Sequence, residues 1–254
     1  MSYVYDCMIK SFVATFLFTV CLATALASLT SCTKDEEVNT NLTITPPASS
    51  PGSDSNFAYL ALGDSYTIGQ GVSESERYPH LTVASLKQYG IQLQTPRYIA
   101  QTGWSTSTLQ FAISQAESLR SFDIVTLLIG VNDQYQGKDT SEYRVRFTEL
   151  LKTAIQLAGN RTERVFILSI PDYSATPFVH QDFKERGRTG IDQFNAINKE
   201  ITLAMGVTYI DITPLTRMAA TDESLLAGDL LHYSRKEHQQ WADLLASSIK
   251  RVLK

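Results

Sequence analysis

The sequence predicts a single α/β domain built on a parallel five-stranded sheet with helices covering both faces. Short apolar runs alternate with stretches of helical spacing five times over, from Phe57 to the C-terminus. Several of these runs are apolar at successive positions, as strands buried on both faces must be. Residues 57–254 of the 254 carry no internal repeat or low-complexity block, and their length fits one domain.

The expected strands are Phe57 to Leu62, Arg97 to Ala100, Ile124 to Ile129, Val165 to Ile170 and Val207 to Ile212. They are too short for helices and too apolar for loops. Helical spacing follows each of them, near 79–89, 105–119, 140–158, 190–205 and 234–252. In the last segment Trp241, Leu244, Leu245, Ile249 and Val252 form one apolar stripe. Ser234-Arg235-Lys236-Glu237 reads as a capping box that starts this helix at Ser234. Residues 171–189 carry no period and read as irregular. A strand followed by a helix, repeated, is the pattern of parallel strands joined by crossovers.

The residues before Phe57 have another character. Cys7, Cys21 and Cys32 all lie there, so the domain can hold neither a disulfide framework nor a cysteine-based zinc site. Ser11 to Thr30 carries no charge and reads as an apolar run that follows Lys10. Its length suits either a membrane span or the core of a signal peptide. The small residues before Cys32 and the polar Thr33-Lys34-Asp35-Glu36-Glu37 after it resemble the bacterial lipoprotein signal. That resemblance makes 1–31 a cleaved signal peptide and Cys32 the lipidated residue. Residues 33–56, rich in Thr, Ser, Asn and Pro, then form a flexible tether. A retained membrane helix or a plain signal peptide is the alternative, and either one exports residues 33–254. The resemblance implies a lipid-anchored protein of the bacterial envelope, at the outer membrane. Asp6 opposes the positive start such a signal needs, which makes Met8 the expected first residue.

Net charge is -4 and the Lys and Arg residues are scattered. Without a basic stripe, nucleic acid is not an expected partner, and neither is an anionic membrane surface bound through charge.

In open α/β sheets ligands bind beyond the carboxyl ends of the strands. The loops there hold Gly63-Asp64-Ser65, Gly103-Trp104-Ser105 and Gly130-Val131-Asn132-Asp133, with Asp229-Leu230-Leu231-His232 ahead of the last helix. Each has a plain reading as a turn. Taken together they offer chemistry, because a serine accepts an acyl group only when a base removes its proton and a third group orients that base. Ser65, His232 and Asp229 supply those three parts. A helix start at Ser234 leaves Asp229 free to accept from Nδ1 of His232, so that Nε2 can face Ser65. The Asn132 amide could bind a tetrahedral oxyanion, and Gly103 would let backbone approach it closely.

The other histidines compete poorly. His238 falls on the buried stripe of the last helix and reads as a packed residue, and His80 has no acid placed to orient it. His180, in the irregular 171–189 stretch, could line a pocket. Gly63, Gly69 and Gly71 lack both Gly-Lys-Ser/Thr and G-x-G-x-x-G, which argues against a phosphate loop. No spacing suggests a metal site, and no cofactor is expected.

Ser65, Gly103, Asn132 and His232 in that order, with Asp229 three residues before the histidine, resemble the SGNH (GDSL) hydrolases over Tyr59 to Leu245. The resemblance implies a flavodoxin-like three-layer sandwich and ester hydrolysis through an acyl-serine. Ser65 would be the nucleophile, His232 the general base and then acid, and Asp229 the orienting acid. The N–H groups of Ser65 and Gly103 with the Asn132 amide would form the oxyanion hole. One departure stands out. Members often read Asp-Gly-x-His-Pro, whereas Leu230 and Tyr233 replace the glycine and proline here, which bears on the shape of the loop and the width of the pocket.

The expected pocket walls are Tyr66, Gln70, Trp104, Gln134, Tyr135 and His180, with Tyr173, Phe178 and Phe183. Aromatic and amide groups together suit an acylated sugar, aromatics alone a lipid chain, and ordinary packing is the plain alternative. Short-acyl carbohydrate esters are therefore the expected substrates, with lysophospholipid-type esters behind them. The competing class is a catalytically silent, lipid-anchored binding protein of the same fold. Filled catalytic positions argue against it.

Overall fold

The computed structural model describes residues 56–254. The expected signal peptide, Cys32 and the tether up to residue 55 lie outside the described residues.

Five strands form one sheet: β1 (Tyr59–Gly63), β2 (Arg97–Ala100), β3 (Ile124–Leu128), β4 (Val165–Leu168) and β5 (Thr208–Ile210). Their order is β2-β1-β3-β4-β5, and every pair is parallel. Each residue of β1, β3 and β4 is buried, which is why these strands read as continuous apolar runs rather than alternating ones. The edge strand β2 is partly exposed, as its polar first residue Arg97 foretells.

Eight helices accompany the sheet among the described residues: α1 (Ser65–Ile68), α2 (Tyr78–Lys87), α3 (Thr106–Gln115), α4 (Val131–Tyr135), α5 (Thr140–Leu157), α6 (Gln181–Ala204), α7 (Thr213–Thr216) and α8 (Arg235–Leu253). α2 packs along α8, while α3, α5 and α6 pack in succession. Leu86, Leu109, Phe147, Ile191 and Trp241 are buried from these helices into one core with the strands. Burying such a side chain stabilises the fold by roughly 1.5–3 kcal/mol. No helix among the described residues is long and apolar enough to cross a membrane.

Three local expectations need correction. Residues 181–189 are not irregular, because α6 begins at Gln181. The segment has little apolar period and holds Gly187, with Gly190 just beyond, and each internal glycine weakens a helix by roughly 1 kcal/mol. Close packing overrides that propensity. A Cβ on Gly187 would stand 2.9 Å from Ser174 Cβ, and one on Gly190 would stand 2.3 Å from Gln134 Nε2.

The capping box is the second correction. Ser234 does start α8, but its hydroxyl donates to the Ser224 carbonyl at 2.7 Å instead of capping. Glu237 is fully buried and accepts from Trp241 Nε1 at 2.8 Å. A buried indole N–H needs an acceptor, and the carboxyl one turn earlier serves it better than it could serve the helix end. Burial pushes Glu237 up to about 7.

The third concerns His80, which does have an acid nearby. Its Nε2 lies 3.5 Å from Glu74 Oε1 while Nδ1 shares a 2.7 Å hydrogen bond with Tyr98 Oη. His238 packs as expected, with Nδ1 accepting from the Tyr78 N–H at 3.2 Å, and burial lowers it to about 3.

Candidate active site

β1 ends on a glycine, and a second glycine stands two residues beyond the end of β3; no other residue could replace either. A Cβ on Gly63 would stand 2.2 Å from Thr67 Oγ1 and 2.4 Å from the Leu128 carbonyl, so only glycine lets β1 turn directly into α1. Asp64 then caps that turn by accepting from the Tyr66 N–H at 3.0 Å, which sets Ser65 as the first residue of α1. After β3, Gly130 has φ of 124° and its Cβ would lie 2.3 Å from Tyr143 Oη. Glycine is required there for both conformation and space.

α4 follows, and it clamps the loop after β2. Asn132 Nδ2 donates to the Trp104 carbonyl at 2.9 Å. Buried Asp133 accepts from the Thr106 N–H at 2.8 Å and the Thr106 hydroxyl at 2.7 Å, so it caps α3 from another strand's loop. These bonds orient the Asn132 amide before any ligand arrives.

His232 enters from the turn before α8. Its Nδ1 lies 2.6 Å from Asp229 Oδ2, while Asp229 Oδ1 accepts from the N–H groups of Leu231 at 3.0 Å and His232 at 2.9 Å. Burial alone would raise Asp229, but the imidazole and the two N–H groups outweigh it and hold the carboxyl below its ordinary range. An ionised Asp229 favours the tautomer with hydrogen on Nδ1, which leaves Nε2 as the basic atom.

The two departures in this loop have distinct outcomes. Leu230 sits at φ 57°, in the left-handed region a glycine would occupy without strain. The turn therefore keeps its shape despite the leucine, held by Leu230 N–H to Ala227 O at 3.0 Å and Ala227 N–H to His232 O at 2.8 Å. Tyr233 is fully buried; its hydroxyl donates to the Asp172 carbonyl at 3.2 Å and its ring packs 5.7 Å from Tyr66.

Ser65, Asn132 and His232 line one cavity of about 220 Å³, together with Tyr66, Tyr135, Tyr173 and Leu231. Asp229 stands behind His232, and the Tyr66 ring lies 5.7 Å from the imidazole. Gly103 is not among the lining residues; it occupies an exposed turn at φ 82° with open space where a side chain would be. Trp104 likewise meets the site through its carbonyl rather than its ring. Gln70 accepts from Thr102 Oγ1 at 2.7 Å. Gln134, His180 and Phe183 line a second cavity of about 400 Å³, whose wall of Tyr135, Tyr173 and Phe178 it shares with the first. Leu231 and the Asp133 clamp were not expected from the sequence. Thr106 is 27 residues from Asp133, so no local pattern could announce that bond.

The set amounts to a serine at a helix start, an imidazole oriented by an ionised carboxylate and an anchored amide donor, all around one hollow. Such a set can transfer an acyl group. Among the described residues no cluster of His, Cys, Asp or Glu stands close enough to hold a metal ion.

Asp64, next to the serine, has a measurable consequence. Burial pushes its carboxyl up to about 8, opposed by the Tyr66 N–H and reinforced by the charge of Asp133. The folded protein then holds a proton that the unfolded chain has lost above its ordinary 3.8, so stability falls as pH rises from about 4 to 8. Glu237 adds the same trend below about 7, and neutral His238 adds the opposite trend between about 3 and 6.5. Between pH 7 and 8 Asp64 carries the larger part of the slope, with the upper end of the Glu237 titration beneath it. Thermal unfolding of the parent should weaken there by up to about 1.4 kcal/mol per pH unit. Asp64→Asn should flatten the slope; an equal slope in both proteins would remove Asp64 as its cause.

The sequence matches the GDSL-like Lipase/Acylhydrolase family over residues 61–240. No curated protein matches it. Among solved structures it is similar to the psychrotrophic esterase EstA from Pseudoalteromonas sp., with 17% identity and a TM-score of 0.57, covering 78% of this chain and 99% of that one. A lipase/acylhydrolase from Enterococcus faecalis is similar at 20% identity and TM-score 0.59, covering 76% and 95% of the two chains. An acetylxylan esterase from Geobacillus stearothermophilus is similar at 17% identity and TM-score 0.58, covering 76% and 94%.

Proposed function

The chain belongs to the GDSL-like lipase/acylhydrolase family of ester hydrolases, and from that membership we propose that it cleaves short-acyl esters of carbohydrates through an acyl-Ser65 intermediate. The observation that carries this reading is the Asp229–His232 pair opening onto the same cavity as Ser65 and Asn132.

His232 Nε2 takes the Ser65 proton as Oγ attacks the ester carbonyl carbon. The oxyanion that forms is bound by the Ser65 N–H and the Asn132 amide, with the Gly103 N–H as the third donor. When the intermediate collapses, the C–O bond to the alcohol breaks and the alcohol leaves with the proton held on Nε2. Water then attacks the acyl-serine, gives a proton to Nε2, and Ser65 recovers it as the acid departs. Asp229 keeps the imidazole in one tautomer and stabilises its charge throughout.

Asn132→Ala is expected to lower kcat by roughly 100- to 1,000-fold with little change in KM, because the amide acts on charge that exists only in the transition state. Steady-state kinetics on p-nitrophenyl acetate checks this, and a change confined to KM would assign Asn132 to ground-state binding instead.

Two observations support a short acyl group. The catalytic cavity, at about 220 Å³, is below the range of roughly 300–1,000 Å³ usual for whole ligands. One similar structure is that of an acetylxylan esterase. Across p-nitrophenyl esters from acetyl to dodecanoyl, kcat/KM should fall with chain length; a preference for the longest chain would replace this reading with a lipid esterase. The lipoprotein-like segment around Cys32 supports a lipid-anchored location in the cell envelope. Metabolic labelling with a fatty-acid analogue should then mark the parent protein and not Cys32→Ala.

A further inference from the structure

Among the described residues, the loop that carries His232 is joined to the rest of the domain by one hydrogen bond. Gly228, Asp229 and Leu230 are exposed, and Leu230 keeps a left-handed backbone that costs a leucine roughly 1–2 kcal/mol. The other hydrogen bonds of residues 226–234 all close within 223–238. Leu226 and Tyr233 bridge each other antiparallel, and the Ser234 N–H donates to the Leu225 carbonyl at 2.8 Å. Such bonds shape the loop without fixing it to the sheet. The one that reaches outside runs from the Tyr233 hydroxyl to the Asp172 carbonyl at 3.2 Å.

Asp172 gives that bond a firm anchor. It follows β4, its buried carboxylate pairs with Arg217 Nε at 2.7 Å, and its N–H donates to Thr216 Oγ1 at 3.0 Å. The next residue is Tyr173, which lines the catalytic cavity. The Tyr233 phenol therefore joins the loop that carries the histidine to the loop that carries a cavity wall. Its ring lies 5.7 Å from that of Tyr66 and 5.4 Å from that of Trp241, and Tyr66 stands 5.7 Å from the His232 imidazole. Gly71 meets the same loop, where a Cβ would stand 2.6 Å from Ala227 Cβ and 3.9 Å from His232 Cβ. That contact limits approach but tethers nothing.

Tyr233 is fully buried and is not among the residues lining the catalytic cavity, so any effect it has on the chemistry passes through its neighbours. Burial holds its phenol well above the ordinary range, and it remains a donor at neutral pH. Resting on the reading of His232 as the base, we propose that Tyr233 is the positioning residue of that histidine: its phenol ties the loop to Asp172 and so keeps Nε2 where it can take the Ser65 proton. A base displaced by about 1 Å can lose on the order of 100-fold in rate. The loss falls on kcat, because proton transfer depends on the placement of Nε2 while the walls that bind the ester stay in place.

The test uses Tyr233→Phe, which keeps the ring and its packing and removes the one bond. The Asp172 carbonyl still accepts from the Ala175 N–H at 3.2 Å, so no buried acceptor is orphaned and the fold should hold. On p-nitrophenyl acetate, with active sites counted by fluorophosphonate titration, kcat per site should fall by roughly tenfold while KM stays within about twofold. His232→Ala separates positioning from general damage. Adding Tyr233→Phe to it should change the residual rate by less than about twofold, since no imidazole is left to misplace. A fall in that double variant equal to the fall in Tyr233→Phe alone would mean that Tyr233 supports some other part of the site, and overturns the proposal. A parent-level kcat in Tyr233→Phe, or a change confined to KM, overturns it as well. A parent-level rate in His232→Ala itself overturns the reading of His232 as the base, on which the proposal rests.

Discussion

Ser65→Ala should lose fluorophosphonate labelling entirely and lower kcat on p-nitrophenyl acetate by roughly 10⁴- to 10⁶-fold. The remaining hydroxyls of the cavity cannot substitute for it. Tyr66 is held well above its ordinary range by burial, with Tyr233 and Asp64 adding to the effect, and Tyr173 is raised by burial too. Neither offers a phenolate at neutral pH. The substitution removes a single oxygen from a residue whose turn is fixed by Gly63 and the Asp64 cap, so the fold should be retained. Labelling or hydrolysis at the parent rate in Ser65→Ala, with unfolding temperature unchanged, would remove Ser65 as the nucleophile.

Asp229→Asn has the second largest expected effect, a fall of roughly 10³- to 10⁴-fold in kcat. The geometry explains why an isosteric change does so much. Oδ1 accepts from two backbone N–H groups, those of Leu231 and His232, and an asparagine keeps its carbonyl oxygen on them. Its NH₂ group is then forced towards His232 Nδ1, where the carboxylate now accepts at 2.6 Å. Nδ1 must become the acceptor, and the ring hydrogen moves to Nε2. An imidazole so arranged cannot take the Ser65 proton. Steady-state kinetics on p-nitrophenyl acetate checks this, and activity within tenfold of the parent would mean that another group orients His232.

Much of this arrangement was legible in the sequence for one reason. Buried parallel strands are apolar at consecutive positions, so β1, β3 and β4 announce themselves, and the residues immediately after each strand must lie at one edge of the sheet. Ser65 and Asn132 follow β1 and β3 directly, and they do line one cavity with His232. The Asp229–His232 contact spans three residues, within reach of a local pattern. Gly103, by contrast, is legible as the glycine after β2 but lies in an exposed turn outside the cavity lining. Its position is set by the path of the turn after β2, which no periodicity encodes.

The first half of α6 shows the opposite case. Residues 181–189 hold Gly187 and little apolar period, so their intrinsic preference opposes a helix. They become helical because Ser174, Tyr173 and Gln134 pack against backbone that only glycines leave open. The second cavity depends on that packing, and for this reason His180 reads as a loop residue in the sequence although it stands at the start of α6.

By itself the sequence determined the layered α/β fold, the edge at which the chemistry gathers and the local pairing of an acid with a histidine. Burial periodicity and short-range spacing are local properties of a chain, and these features depend on little else. Tertiary structure decided which partner each buried polar group takes. Glu237 satisfies the Trp241 indole rather than a helix end, and Asp133 caps α3 across 27 residues. Leu230 keeps a glycine-like turn in the loop that carries His232. A buried polar group takes the partner that folding brings within about 3 Å, and that distance is set by how distant segments pack.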